Sequence, residues 1–555
     1  MHQERLANFS LQEYYKGTRI ARLLDLILII LLIFFVIYTP LPFGSVQIHS
    51  ITIIEVFSVV CLMVWICKLT LCGREDLLSH FRHLYEAERQ AYEKQPFFGR
   101  HFWLARVFWI LTFGHWPKKY KASTLLEDTE EESFTFRRMS YYSVFGYPVK
   151  NTGLEILGLL LLLFIILQMV PLPAIFVRII SPATADLYQS AAAAAGKPIY
   201  FHPISVDPFA TFSKLLQYTS YYLIFLCVVN NVRTRGLFAA VLYAIFVSAV
   251  FQGIYGLYEF LSGNQHIFHY VKKYGLDSAS GTFINRNHYA AYLELSIPLL
   301  ISLVAGRISQ LKAFRGNLFV RMAHALETEG SQILLILLLI VLVSVGLIFS
   351  MSRSGISFAL ISLIAFLFLY RRARHKLSTR TYFLLGIGLT LAFTVWIGLN
   401  PLLERFVNIS ENWEEGSRWQ VWTDTFVIFL HFPIVGTGAG TFAEIYPMYK
   451  SFVADLVYLY AHNDYLQFLA EVGIISLILF VAFFDLLIER LIRILQRDLN
   501  RLSIIQIAAF CSLVCLGLHS LTDFSFQIPA IAVLGAIITG IFFSHYHTEH
   551  RVTHA

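Results

Sequence analysis

The sequence predicts an all-α protein that crosses a membrane about twelve times. Three observations carry that prediction. Of 555 residues, 57% are hydrophobic and only 14% are charged, where a soluble globular domain carries about 25% charged residues. Apolar runs of about 20 residues, the length a helix needs to cross the hydrocarbon of a bilayer, recur along the whole chain. Lys and Arg gather in alternate segments between those runs. Open sheets are excluded inside lipid, because unpaired backbone groups are too costly there.

Taken in order, the runs fall near 22–38, 51–71, 152–170, 214–230, 237–260, 288–305, 332–350, 356–370, 382–399, 466–487, 503–520 and 529–545. The first follows about 20 mostly polar residues and leads into Pro40. That is not a small-residue cleavage site, so a span is expected and not a cleavable leader. After the second span comes a charged segment, about 72–150. It contains an apolar stretch, Phe102 to Phe113, too short to cross and suited to an interfacial helix or a re-entrant segment. Its acidic run Glu127, Asp128, Glu130, Glu131 and Glu132 reads as a solvated loop. Two further loops are long. One, about 171–213, opens with Pro171-Leu172-Pro173 and includes Ala191 to Ala195. The other, about 400–465, is rich in aromatic residues (Trp413, Trp419, Trp422, Phe442, Tyr446, Tyr449, Tyr458, Tyr460), which argues for order.

An even number of spans puts both termini on one side. With the N-terminus inside, 33 of the 43 Lys and Arg lie inside and 10 outside. Without the long second inside loop, which supplies 12, the ratio is still 21 to 10. The expected organisation is a two-span segment 1–71, a cytoplasmic loop 72–150, a transmembrane domain 151–545 that includes an outside loop 400–465, and a cytoplasmic tail 546–555.

The net charge of +7 does not indicate nucleic-acid binding, because the basic residues sit in loops between spans and not on one face of a soluble domain. The six cysteines lie in or beside apolar runs without paired or CxxC spacing, so neither disulfides nor a thiolate metal site is expected. His431 and His462 match no HExxH pattern, and no metal is expected. No GxSxG elbow and no GxxxxGK[ST] loop is present, which argues against a hydrolase triad and a nucleotide site.

Three residues at outside boundaries can carry chemistry. Arg353, in Ser352-Arg353-Ser354-Gly355, lies in a very short turn between two spans. An arginine at that depth costs roughly 3 kcal/mol unless paired, so it reads either as a snorkelling anchor or as an anion ligand. Arg418, in Gly416-Ser417-Arg418-Trp419, reads as a partner of Glu414 or Glu415 or as a second anion ligand. After it, Trp422 to Leu430 form a short amphipathic helix ended by Pro433 and Gly436-Thr437-Gly438-Ala439-Gly440, a weak phosphate-loop signal. His462 precedes the next apolar helix, with Asp464 and Gln467 as a capping box and Asn463 as the alternative cap. Helix N-termini favour anions, and a histidine there serves as a base near neutral pH. Glu471 is half a turn out of phase with His462 but shares a face with Asp464.

Together these pieces resemble the O-antigen ligase and polymerase superfamily. The resemblance lies in Ser352-Arg353-Ser354-Gly355, Ser417-Arg418 with Trp422, Pro433-x-x-Gly436-x-Gly438, His462-Asn463-x-x-Leu466 and Glu471-x-Gly473. Gly281-Thr282-Phe283-x-Asn285-x-Asn287-His288 and His519-Ser520-x-x-Asp523-Phe524 are also similar, so it covers most of 150–545. It implies a GT-C-like helical glycosyltransferase of the bacterial inner membrane, facing the periplasm and needing no cofactor or metal. The donor would be a glycan on undecaprenyl pyrophosphate, and the acceptor a hydroxyl of lipid A core, of another lipid-linked glycan as in a polymerase, or of a protein. By the same resemblance Arg353 and Arg418 hold the pyrophosphate and His462 activates the acceptor, with Asp464, Asn463, Glu471, Arg286, His288, His519 and Asp523 in support. A flippase, the competing class, would show two similar halves and charges along mid-membrane helices; neither is evident.

Overall fold

The computed structural model describes residues 19–71, 141–144, 147–232, 234–263, 265–273, 275–308, 331–373, 418–453, 457–496 and 500–544. Its helices, in chain order, are α1 (Arg19–Tyr38), α2 (Ile48–Leu71), α3 (Leu154–Met169), α4 (Ala174–Ile180), α5 (Pro182–Ala195), α6 (Pro208–Asn231), α7 (Arg235–Leu261), α8 (Arg286–Ile308), α9 (Ser331–Phe349), α10 (Arg353–Ala373), α11 (Arg418–His431), α12 (Asp464–Val472), α13 (Ile474–Leu495), α14 (Arg501–His519) and α15 (Pro529–Phe543). Among the described residues the strands form three antiparallel pairs, Tyr141–Val144 with Tyr147–Lys150, Leu172–Pro173 with Phe201–His202, and His266–Ile267 with Tyr270–Val271.

The chain is an all-α polytopic membrane protein. Seven described helices are long and apolar enough to cross a membrane, namely α2, α6, α7, α8, α9, α10 and α14, and three apolar helices are shorter. The expected count of twelve is therefore not reproduced. The segment 382–399, the apolar stretch Phe102 to Phe113, the acidic run and the tail 546–555 lie outside the described residues. The expected single span 466–487 is two helices, because Gly473 between α12 and α13 has φ +71°. A Cβ there would stand 2.4 Å from the Ile434 carbonyl oxygen, and the Ile474 N–H donates to Pro433 instead of continuing α12. The cap of α12 is Asn463, whose side chain accepts the Leu466 N–H. Asp464 is thus the first helical residue, and the Asp464 capping box gives way to the Asn463 alternative.

Two units are delimited. One comprises 1–26, 63–156 and 547–555; within it Lys68 and Asp25 form an ion pair, and Glu155 accepts from the Thr152 N–H at the start of α3. The other comprises 27–62 and 157–546. At its centre is α8, 89% of whose apolar window is buried, packed by α14, α9, α10 and α7. Elsewhere α15 fills the space between α6 and α14. Side-chain caps start several of these helices: Asp207 accepts from Phe209 and Ala210 at α6, Thr234 from Leu237 at α7, and Asn500 from Ser503 at α14.

Between α9 and α10 the turn is only Ser350, Met351 and Ser352, made this tight by Met351 at φ +55°. Gly355 then lets α10 lie directly on α8, since a Cβ there would come within 2.7 Å of the Ala290 Cβ. The first residues of α10 and α8 therefore stand at the same end of the bundle, where α14 also ends.

Candidate active site

The side chain that organises this end is Asp523, in the turn between α14 and α15, with no exposed surface. It accepts four hydrogen bonds. Oδ1 receives His462 Nδ1 at 3.2 Å and the Phe524 N–H at 2.9 Å; Oδ2 receives Asn287 Nδ2 at 2.8 Å and Arg418 Nη2 at 3.2 Å. Arg418 Nη1 also donates to the Thr522 carbonyl, so the guanidinium grips both the carboxylate and the backbone before it. His288 Nε2 lies 3.9 Å from Oδ1, too far for a hydrogen bond but close enough for electrostatic interaction. Burial works against the charge of Asp523. The hydrogen bond from His462 and the positive field of Arg418 and the histidines outweigh it, and they hold the carboxyl well below the usual carboxylate range.

His462 sits in the left-handed region at φ +54°, a conformation costing a non-glycine residue roughly 1 kcal/mol. Trp422 Nε1, one turn into α11, donates to the His462 carbonyl and helps hold that backbone. Phe524 packs between the rings: its centroid is 4.7 Å from that of His462 and 4.6 Å from that of His288, both edge-on, and it stacks on Tyr460 at 4.5 Å. The imidazole of His462 is thus oriented from three sides. Nδ1 is committed to Asp523; Nε2 has no hydrogen-bond partner among the described residues, and the side chain is 26% exposed.

The expected residues separate into groups. Arg418, His462, His288 and Asp523 converge. Arg353, exposed, opens α10 at the same end and has no carboxylate partner among the described residues. The suggested Arg418 partners Glu414 and Glu415 lie outside the described residues, and the carboxylate that Arg418 meets is Asp523. Arg286 turns outward to Asp277 at 3.3 Å. Asn463 is a helix cap. Asp464 is buried and accepts the Phe526 N–H, while its own N–H donates to Ser520; burial pushes its carboxyl up to about 7. His519 lies inside the bundle against Glu294.

Glu471 explains the glycine-rich turn. Its carboxylate accepts the Gly440 N–H at 2.7 Å, and its carbonyl accepts the Gly438 N–H. The Ala439 N–H goes to Gln168 and the Thr437 N–H to Ala470. With these amides satisfied internally, the turn is not a phosphate cradle. It locks α11 to α12 and so fixes Arg418 relative to His462.

Reading the sequence missed Asn287, Glu294, Tyr460 and Phe524 as site or supporting residues. One signal was available for the first two. Asn287 and Glu294 are seven residues apart and share a face of an otherwise apolar helix, and polar groups inside a span mark function by default. Among the described residues no group of three or more His, Cys, Asp or Glu is placed to hold a metal ion.

Residues 338–481 match the family model described as O-antigen ligase, which supports the O-antigen ligase and polymerase superfamily. The match includes Arg353, Arg418 and His462 and stops short of Asp523. No curated protein matches the chain.

Proposed function

We propose, from this family match and the Asp523-centred cluster, that the protein is an O-antigen ligase-type glycosyltransferase. It moves a glycan from undecaprenyl pyrophosphate to an acceptor hydroxyl at the periplasmic face of the inner membrane. The observation that carries the reading is His462, whose Nδ1 is held by a buried, ionised Asp523 while Nε2 faces outward. This is the arrangement of a general base. The acceptor oxygen attacks the anomeric carbon as its proton passes to Nε2, and Asp523 stabilises the resulting imidazolium. The carbon–oxygen bond to the pyrophosphate breaks with its electron pair going to the phosphate oxygen. Arg353, exposed at the start of α10, and the outward side of Arg418, 41% exposed, meet that growing charge. Attack opposite the leaving group inverts the anomeric configuration. The charge bias of 33 to 10 supports placing this end of the bundle outside.

The test uses purified protein with a lipid-linked donor and a hydroxyl acceptor, donor binding and transfer being measured separately. His462→Ala and Asp523→Asn should each lower turnover by about 10² to 10⁴ and leave donor binding largely intact. His462→Gln should not restore it, since glutamine orients a hydroxyl without taking its proton. Transfer by His462→Gln at the wild-type rate ends the general-base assignment. Movement of the donor across a vesicle membrane without a new glycosidic bond replaces the whole reading with a flippase. In a strain lacking the chain, free lipid A core identifies a ligase, whereas shortened glycan on the carrier identifies a polymerase.

A further inference from the structure

A second titratable pair lies deeper in the bundle. His519 Nδ1 is 2.7 Å from Glu294 Oε1, and neither side chain has any exposed surface. Cys515, one turn earlier on α14, faces the same carboxylate. Burying such a pair inside a span costs several kcal/mol in desolvation. An apolar pair of similar volume would pack as well, so stability alone does not account for it.

Its position does. His519 ends α14, and its carbonyl accepts the N–H groups of Thr522 and Asp523. Fixing the His519 side chain therefore fixes the turn that carries Asp523. Glu294 lies two turns along α8 from Asn287, which donates to Asp523 directly. The other oxygen, Oε2, faces the start of α10: a Cβ built on Gly355 would stand 3.5 Å from Oε2 and 3.3 Å from Ser352 Oγ, on either side of Arg353 in sequence. Three helices meet at this one carboxylate, those that carry Asn287 and His288, Arg353, and the Asp523 turn.

We infer that Glu294 and His519 are positioning residues that set Arg353 against the Asp523–His462 cluster. The inference rests on the transfer reading for its effect on rate, but not for its effect on structure. A misplacement of about 1 Å can cost on the order of 10² in rate. Replacing both partners by apolar residues of similar volume is commonly neutral or stabilising in a merely structural ion pair.

The test is Glu294→Leu with His519→Leu in the full-length protein. Its melting temperature should not fall, while transfer at saturating donor falls about 10²-fold. Hydrogen–deuterium exchange should accelerate in peptides covering 519–528 and 350–356 and stay unchanged elsewhere. His519→Asn, which keeps a donor where Nδ1 stands, should retain transfer within a few-fold, whereas His519→Phe should not. If the double variant does not accumulate, that last contrast decides: equal transfer by His519→Asn and His519→Phe overturns the inference. A double variant with wild-type transfer and unchanged exchange also overturns it. A wild-type protein that transfers nothing counts against the transferase reading alone, and the exchange measurement then decides this one.

Discussion

At the scale of single residues, the site depends on how burial is offset. Asp523 has no exposed surface, yet four N–H donors, one of them on the Arg418 guanidinium, keep it ionised. Its folded-state value is depressed, so its contribution to stability is full above the ordinary carboxylate range and is lost progressively as the pH falls below that range. Asp464, two residues beyond His462, is the opposite case. It accepts the Phe526 N–H and interacts with the Ser520 and Gln527 side chains, but burial outweighs these and raises it to about 7. A raised value in the folded state means that Asp464 stabilises most at low pH and that this contribution is lost as the pH rises through about 7. The wild type should therefore lose roughly 2 kcal/mol more than Asp464→Asn between pH 5 and 8.5. Parallel unfolding curves of the two proteins at both pH values are the measurement, and an equal loss in both refutes the assignment. Arg353 makes a different claim, about geometry. Arg353→Lys keeps the charge but not the bidentate fork, and it should impair donor binding nearly as much as Arg353→Ala. Full transfer by Arg353→Lys would reduce the role to bulk charge.

At the scale of elements, the glycines decide which helix can approach which. Gly436, at φ +70°, lies against the backbone of Glu471, where a Cβ would meet the carbonyl carbon and oxygen at 2.2 Å. Neither atom can move without breaking α12. Gly196 ends α5 at φ +64° with nothing within 4 Å of a Cβ. Gly196→Ala should thus cost about 1 kcal/mol, the conformational term alone. Gly436→Ala adds a clash with rigid backbone and should lower the yield of monodisperse protein severalfold. Equal stability of the two variants, measured by thermal unfolding in detergent, contradicts the packing described for the turn. The same turn explains why a glycine-rich signal next to candidate phosphate ligands misled. Its amides serve Glu471, Gln168 and Ala470, which are distant in sequence or on another helix and cannot be inferred from spacing.

At the scale of the whole molecule, the expectation is a direction in the membrane. The starts of α8 and α10 and the end of α14 share one face of the bundle, and the proposed orientation, taken from the charge bias, has that face outside. A reporter enzyme active only in the periplasm, fused after Lys450, should be active. Fused after Lys376, which lies outside the described residues, it should be silent. The reverse pattern would place Arg418 and His462 in the cytoplasm and remove the proposed donor from reach.

The sequence by itself determined that the chain is helical and polytopic, where most of its apolar helices run, and which arginines and which histidine lie near span ends. These properties are set by local composition over about 20 residues, since lipid rewards continuous apolar length whatever the neighbours are. The match over 338–481 carries the same local information. Only the tertiary structure decided that Asp523 is the centre. It lies 61 residues from His462, 105 from Arg418 and 236 from Asn287. Likewise only packing made Glu294 and His519 partners across 225 residues and split the span 466–487 at Gly473. A carboxylate, an amide or a glycine has no directional signature in the chain. Its role is fixed by the buried groups that must be hydrogen-bonded or cleared around it, and these are brought there by other helices.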